Sequence, residues 1–188
     1  MRWDRERLQQ GALFNRFIET LLHHHDVTPL LSDKHFSVDG TLIEAWAGHN
    51  SFKPKSDKDG DGERFYGITR KNTTHVSTTD PDNCLYRKSE GKESKLCYMG
   101  HATMENRNGL AVAGQVTQAI DGRTTRHMGY ALSQGKRNMI ECMFGWGKQH
   151  GTMHKTKHRG LAGVAADFLL NLIGYNLIRI PKLLAQRR

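Results

Sequence analysis

The sequence predicts an α/β fold in which a small antiparallel sheet is backed by helices. Three observations carry that reading. A helical period runs through residues 5 to 25, a strand-like alternation opens at His35, and two extended segments, Lys95 to Thr103 and Leu110 to Thr117, flank the turn-forming Glu105-Asn-Arg-Asn-Gly109. At 188 residues the chain has room for one ordinary domain with its own core, or for a small domain with appendages.

In the first element Phe14, Phe17, Ile18, Leu21 and Leu22 fall at i, i+3, i+4, i+7 and i+8, the spacing of one apolar helix face. Phe36 and Val38 then alternate within His35 to Asp39 as a short strand, and Thr41 to Ala47 reads either as a helical turn or as that strand's continuation. From Gly48 to Thr79 the chain is rich in Lys, Asp and Gly and has no period, as expected of a flexible loop. The two later extended segments form an antiparallel hairpin on this reading, with Asn and Gly supplying the reversal. A basic linker follows Gln118-Ala-Ile-Asp121, then a helix from about Gln134 to Gly145. The apolar run from Leu161 to Ile178 predicts a longer helix, stopped by Pro181. The stretch Leu161 to Ile180 is apolar enough to suggest a membrane span, but Asp167, Asn171, Asn176 and Arg179 lie along it, so a buried helix is expected. There is no internal repeat.

The formal net charge is +9, and its distribution says more than its size. Up to Gly122 there are 16 Lys and Arg against 17 Asp and Glu, whereas from Arg123 onward there are 12 against 2. So basic a lobe suits a polyanionic partner, because each phosphate neutralised by Lys or Arg releases condensed counterions. A basic surface with no partner and an anionic membrane surface are the other readings. Cys84, Cys97 and Cys142 include no Cys-x2-Cys pair, which fits reduced cytosolic thiols rather than a disulfide framework or zinc knuckle. The N-terminus is rich in Arg, Asp, Glu and Gln and lacks an early apolar run, so no secretory signal is expected.

Few residues carry chemistry. Asp39 precedes Gly40 and Thr41, where a carboxylate can project over a sheet edge toward a divalent cation; Asp-Gly at a strand end is equally turn chemistry. On the next helix, at about 100° per residue, Arg137 lies about 40° and Lys148 about 20° from Glu141, so the three share one stripe beside Met139, Ile140, Met143 and Phe144. A carboxylate between two cations can share a metal and a phosphate, or can be a solvated i,i+4 pair worth about 0.3–0.5 kcal/mol. Gly145 and Gly147 weaken the helix before Lys148.

Three further features point elsewhere. Asp57-Lys-Asp59-Gly-Asp61-Gly62 opens like a calcium loop, but Ile68 stands where a bidentate Glu is needed. His150, His154 and His158 recur every four residues and could line a helix face as a metal site, yet among Lys155, Lys157 and Arg159 they fit polyanion contact better. His23-His24-His25 are expected to meet the last carbonyls of the first helix.

Longer strings, taken together, resemble one family. They are His35-Phe-Ser-Val-Asp39-Gly-Thr-Leu-Ile-Glu-Ala-Trp46, Ser77-Thr-Thr-Asp-Pro-Asp82, Lys95-Leu-Cys-Tyr-Met-Gly-His101, Met104-Glu-Asn-Arg107, Ile120-Asp-Gly-Arg-Thr-Thr-Arg-His127, Arg137-x3-Glu141-x6-Lys148 and His158-Arg-Gly-Leu161. The chain is similar over most of residues 31 to 185 to the DDE transposases of bacterial insertion sequences, in the group marked by Y-x2-R-x3-E-x6-K.

The resemblance implies an RNase H-like fold, with three antiparallel strands, a parallel strand beside the first, and helices packed on the sheet. It implies DNA cleavage and strand transfer at insertion-sequence ends by two-metal phosphoryl transfer, usually with Mg²⁺. Asp39 and Glu141 would be the catalytic carboxylates and metal ligands, and Arg137 and Lys148 would position phosphates, with Lys155, Lys157 and Arg159 extending the DNA contact. Other copies of the chain or a full-length transposase would be its protein partners, in the cytoplasm at the nucleoid, with no membrane role.

The sequence departs from that family in three places. A long segment carrying the second catalytic Asp normally separates the Gln115-Val-Thr-Gln-Ala119 strand from the Ile120-Asp-Gly-Arg motif, but Ala119 and Ile120 are adjacent here, and Asp121 belongs to the other motif. The fold expected is therefore an incomplete RNase H-like domain without its central parallel strand, defective in catalysis, and with an open edge on the first strand unless another segment covers it. Gln134 replaces the signature Tyr, and residues 1–30 read as the remnant of an N-terminal helical region. Residues 31–119 would then be the first part of the catalytic domain, with its flexible loop at about 48–79, and 120–188 the basic part bearing Glu141. The alternative function is a non-catalytic DNA-binding remnant that inhibits full-length transposase.

Overall fold

The computed structural model describes residues 11–32, 34–55, 70–120 and 137–187. Helix α1 (Gly11–Leu22) leads through a short 3₁₀ turn, Thr28–Leu30, into strand β1 (Phe36–Glu44). Strands β2 (Phe52–Pro54) and β3 (His75–Ser77) pair with each other, and β4 (Cys84–Tyr86), β5 (Lys95–Glu105) and β6 (Ala111–Gln118) complete the main sheet. Helices α2 (Arg137–Gln149) and α3 (Leu161–Ala185) follow.

The organising strand is β5. Along one side β1 runs antiparallel from Phe36 opposite Glu105 to Glu44 opposite Cys97. Along the other, β6 pairs antiparallel from Tyr98 opposite Gln118 to Met104 opposite Ala111, and β4 pairs with residues 95 to 97. Alternation puts Ser37, Thr41 and Ile43 of β1 on one buried face with Tyr98, Ala102, Met104 and Val116. Against that face lie Phe168, Leu169 and Leu172 of α3, while α1 packs on α3 and β6, and α2 on α3 and β1. Phe36 and Val38 point to the other face and are exposed.

Two glycines set how closely α3 approaches the sheet. A Cβ on Gly100 would lie 2.7 Å from the Phe168 ring, and one on Gly114 only 2.4 Å from Leu172 Cδ1. Polar clamps then fix the register. Asn176 donates its amide to the Ala111 carbonyl at 2.7 Å and accepts the Ala111 N–H at 2.9 Å. Asn171 donates to Thr152 Oγ1 at 2.7 Å. Although α3 is long and apolar enough to cross a membrane by length and composition, these buried amides and its packing on the sheet make it a core helix here.

The β5–β6 reversal is built around a carboxylate. Glu105 is buried and accepts the N–H groups of Arg107 at 2.9 Å, Asn108 at 2.6 Å and Leu110 at 3.3 Å, while Gly109 takes the left-handed φ of 68°. The hairpin thus matches its sequence expectation.

Elsewhere the elements run longer than their sequence signals. The first strand continues through Gly40 to Glu44, so Asp39-Gly40 is mid-strand and not a turn. Helix α2 passes Gly145 and Gly147 to Gln149, and α3 passes Pro181 to Ala185. Proline cannot bond the carbonyl four residues back; here both Pro181 and Leu177 are exposed, so water can satisfy that carbonyl. Within the span expected as a loop, His49–Ser51 form a 3₁₀ turn and β2 and β3 pair, with Ser51 Oγ 2.8 Å from Ser77 Oγ.

Because α3 rests directly on Gly114, Gly114→Ala is expected to lower unfolding stability by about 1–3 kcal/mol in a denaturant titration. Gly48→Ala, with nothing within 4 Å of the added Cβ, should stay within about 0.5 kcal/mol of the parent.

Candidate functional site

Asp39 is half-buried in the middle of β1, opposite Ala102, on the face that the helices cover. Its Oδ1 accepts the Gly40 N–H at 2.8 Å. His101, across from Gly40, feels its charge: burial holds the imidazole below its ordinary pKa, and the Asp39 carboxylate partly offsets that. His101 Nε2 also lies 3.0 Å from Thr117 Oγ1.

Glu141 is exposed on α2, above the buried Ile140, Met143 and Phe144. Since α2 packs on β1, the two elements that bear the sequence-identified carboxylates are in contact. The helix is continuous from Arg137 to Gln149, so the stripe shared by positions 137, 141 and 148 holds along its length. The Arg137 side chain lies outside the described residues, as do Asp121, Gln134 and the Asp57–Asp61 run.

Lys148 is held below its ordinary pKa by partial burial, and then by the like charge of Lys88. Lys88, just beyond β4, was not marked by any pattern in the sequence; a cation pair of this kind forms across some 60 residues of chain and has no local signal.

The basic residues after α2 do not act alike. The chain leaves the helix at Gln149, so His150, His154 and His158 do not share a helix face as their spacing suggested. Instead the segment returns to β1. Glu44 donates its N–H to the His154 carbonyl at 3.1 Å and accepts the Thr156 N–H at 3.0 Å, a parallel bridge that covers the C-terminal end of the β1 edge. Side chains reinforce it: Lys155 Nζ lies 3.0 Å from Glu44 Oε1, Lys95 Nζ lies 3.1 Å from Oε2, and Lys155 also sits 5.8 Å from the Trp46 ring. Burial would raise the Glu44 pKa, but the hydrogen bonds and charges of Lys155 and Lys95 outweigh it and hold the carboxyl below its ordinary value. Lys157 and Arg159 are exposed.

The Ser77-Thr-Thr-Asp-Pro-Asp82 string turns out to anchor α3. Asp80 Oδ1 accepts the Tyr98 hydroxyl at 2.7 Å and the Gly160 N–H at 3.0 Å, and Asp82 Oδ2 accepts the Leu161 N–H at 2.8 Å. Two carboxylates thereby satisfy donors at a helix start, where the dipole also favours negative charge. Burial, followed by the hydrogen bond to Asp80 and then the Asp80 and Asp82 charges, pushes the Tyr98 hydroxyl well above the ordinary tyrosine value.

Asp39 and Glu141 offer hard oxygen donors, the chemistry that suits Mg²⁺ or Mn²⁺. Among the described residues neither belongs to a group of three potential ligands within 4.8 Å, so the donor type fits a divalent cation while the described donor number is that of a partial site.

An antiparallel sheet bearing one carboxylate, a helix packed on it bearing a second, and a basic flank are together consistent with a partial DDE nuclease-like domain. A family model described as a transposase DDE domain matches residues 83–181, which is more than half of the chain. The chain belongs to the DDE transposase family, whose members generally use divalent metal and act on DNA. The match runs from the start of β4 into α3 and includes Glu141; Asp39 lies before it. No curated protein and no solved structure matches the chain.

The Glu44 cluster makes a pH-dependent contribution. Its depressed pKa means that the stabilisation is complete above the unfolded-chain value of about 4.3 and is lost as pH falls through the folded-state pKa. Glu44→Gln is therefore expected to lower the melting temperature by a few degrees at pH 7, with the difference from the parent closing in melts below about pH 4.

Proposed function

We propose that this chain is an insertion-sequence transposase of RNase H-like fold, in which Asp39 and Glu141 are the catalytic carboxylates. The observation that carries the reading is the packing of α2 on β1, which brings together the elements bearing these two residues within a chain of the DDE transposase family. Residues 31–119 supply the first part of the catalytic domain and 120–188 its basic part.

Asp39 and Glu141 would hold Mg²⁺, which when bound polarises a phosphoryl oxygen and activates the attacking group. The chain's own cations do the positioning. Arg137 and Lys148 flank Glu141 on its stripe, Lys88 adds its charge beside Lys148, and Lys155, Lys157 and Arg159 continue the phosphate-binding surface beyond the helix. Lys155 reaches that role with its charge already shared with Glu44, so Lys157 and Arg159 contribute more.

Catalysis by this chain is defective on this reading, because the strand that should carry the second Asp is not in the sequence between β6 and the Ile120-Asp-Gly-Arg motif. The protein binds insertion-sequence ends in the cytoplasm, with copies of itself or a full-length transposase.

Duplex DNA binding by the purified chain is expected to weaken steeply with salt, by about 0.9 in the log–log slope per phosphate contact. Lys157→Ala with Arg159→Ala should flatten that slope by about 2. Asp39→Ala and Glu141→Ala should leave it unchanged. A slope indifferent to the paired substitution contradicts the interface, and Mg²⁺-dependent cleavage of element ends by the chain alone contradicts the catalytic defect.

A further inference from the structure

We propose that His24, His25 and Asp26, at the end of α1, form a binding site for a borderline divalent transition-metal ion such as Zn²⁺ or Ni²⁺. Among the described residues they are a group of three potential ligands whose donor atoms all lie within 4.8 Å of one another. His25 Nε2 is 3.2 Å from Asp26 Oδ1, and His24 Nδ1 is 3.7 Å from Asp26 Oδ2. With metal–ligand bonds of about 2.0–2.2 Å, neighbouring donors around a tetrahedral ion stand about 3.3–3.5 Å apart. The two His–Asp contacts lie close to that edge length, and the third pair of donors stays within 4.8 Å.

The backbone beneath the site is held from both sides. His23 N–H donates to the Glu19 carbonyl at 2.9 Å, and the N–H groups of Val27 and Thr28 both donate to the His24 carbonyl at 2.9 Å. Thr28 Oγ1 donates to the same carbonyl at 3.1 Å and lies 3.2 Å from that of Leu22. Leu22, Val27 and Leu30 are buried, so the turn is anchored in the core while its three donor side chains face solvent. A ligand set presented on a fixed turn loses little backbone freedom when the ion arrives.

The donor roles are already separated. His23 is occupied elsewhere, its Nδ1–H donating to the Glu19 carbonyl at 2.7 Å. The Asp26 N–H points at His24 Nδ1 at 3.4 Å, a long contact that a metal ion can displace from that nitrogen in the neutral imidazole. Imidazole nitrogens select Zn²⁺, Ni²⁺ or Cu²⁺ over Mg²⁺, which distinguishes this site from the carboxylates of Asp39 and Glu141. Three protein ligands leave one tetrahedral position for water or for a donor from another molecule.

Isothermal titration of the full chain with ZnCl₂ under thiol-reducing, chelator-free conditions tests the site. One zinc per chain is expected, with His24→Ala, His25→Ala or Asp26→Asn each weakening it about tenfold or more. Cys142→Ser and His154→Ala, which remove other exposed ligands, should retain the parent affinity, and excess Mg²⁺ should not compete. The three site residues are exposed, so far-ultraviolet circular dichroism of their variants should match the parent. Absence of zinc binding by the folded parent, or parent-like binding by the folded triple variant, would overturn the proposal.

Discussion

The near-contact of α3 with the sheet is the constraint from which the remaining structure follows. Side chains on β5 and β6 at positions 100 and 114 would prevent it, and glycine at both lets the Phe168 ring and Leu172 rest on the strands themselves. With α3 seated so close, α1 and α2 can pack on it and still reach β6 and β1. A displacement of α3 would therefore move Glu141 relative to Asp39, although neither carboxylate belongs to α3. Dispersion alone does not select one register for an apolar helix. The Asn176 exchange with Ala111 and the Asp80 and Asp82 contacts at its start supply that selection, since a slip would leave buried polar groups unmatched.

Polar contacts between distant parts of the chain do the comparable work at the edge of β1. The bridge from Glu44 to residues 154–156, with Lys95 and Lys155 on its carboxylate, closes the end of the strand whose edge was expected to be open unless another segment covered it. It also explains why the turn after α2 comes back toward the sheet. The basic character of the C-terminal third is thus divided: Lys155 contributes to the fold, while Lys157 and Arg159 face solvent and suit a phosphate backbone.

Local chemistry was legible in the sequence, and long-range chemistry was not. The apolar spacing of Phe14 to Leu22 and the Asn-Gly reversal after Glu105 each have a signal within a few residues, and both elements are present. Asp39-Gly40 misled because the pair favours turns in isolation, whereas the cross-strand partners Ala102 and His101 hold it extended. Gly145 and Gly147 each weaken an isolated helix by about 1 kcal/mol, but Trp146 packing on Tyr175 and Met153 lying against Gly147 carry α2 past them. The links from Glu44 to Lys155, 111 residues apart, and from Asp80 to Gly160, 80 apart, have no periodic signature at all. At the candidate site, the sequence marked Glu141 and Lys148 through helical spacing but could not reveal the charge of Lys88 acting on Lys148.

In the proposed function Asp39 and Glu141 act together on one divalent cation. Mn²⁺ binding followed by electron paramagnetic resonance, on the parent, Asp39→Asn and Glu141→Gln, tests it most directly, because Mn²⁺ reports on oxygen-rich sites and needs no DNA or turnover. The parent is expected to sequester Mn²⁺, and either single substitution to abolish the same bound signal. Retention of the signal in one variant and its loss in the other would show that the two carboxylates do not share an ion.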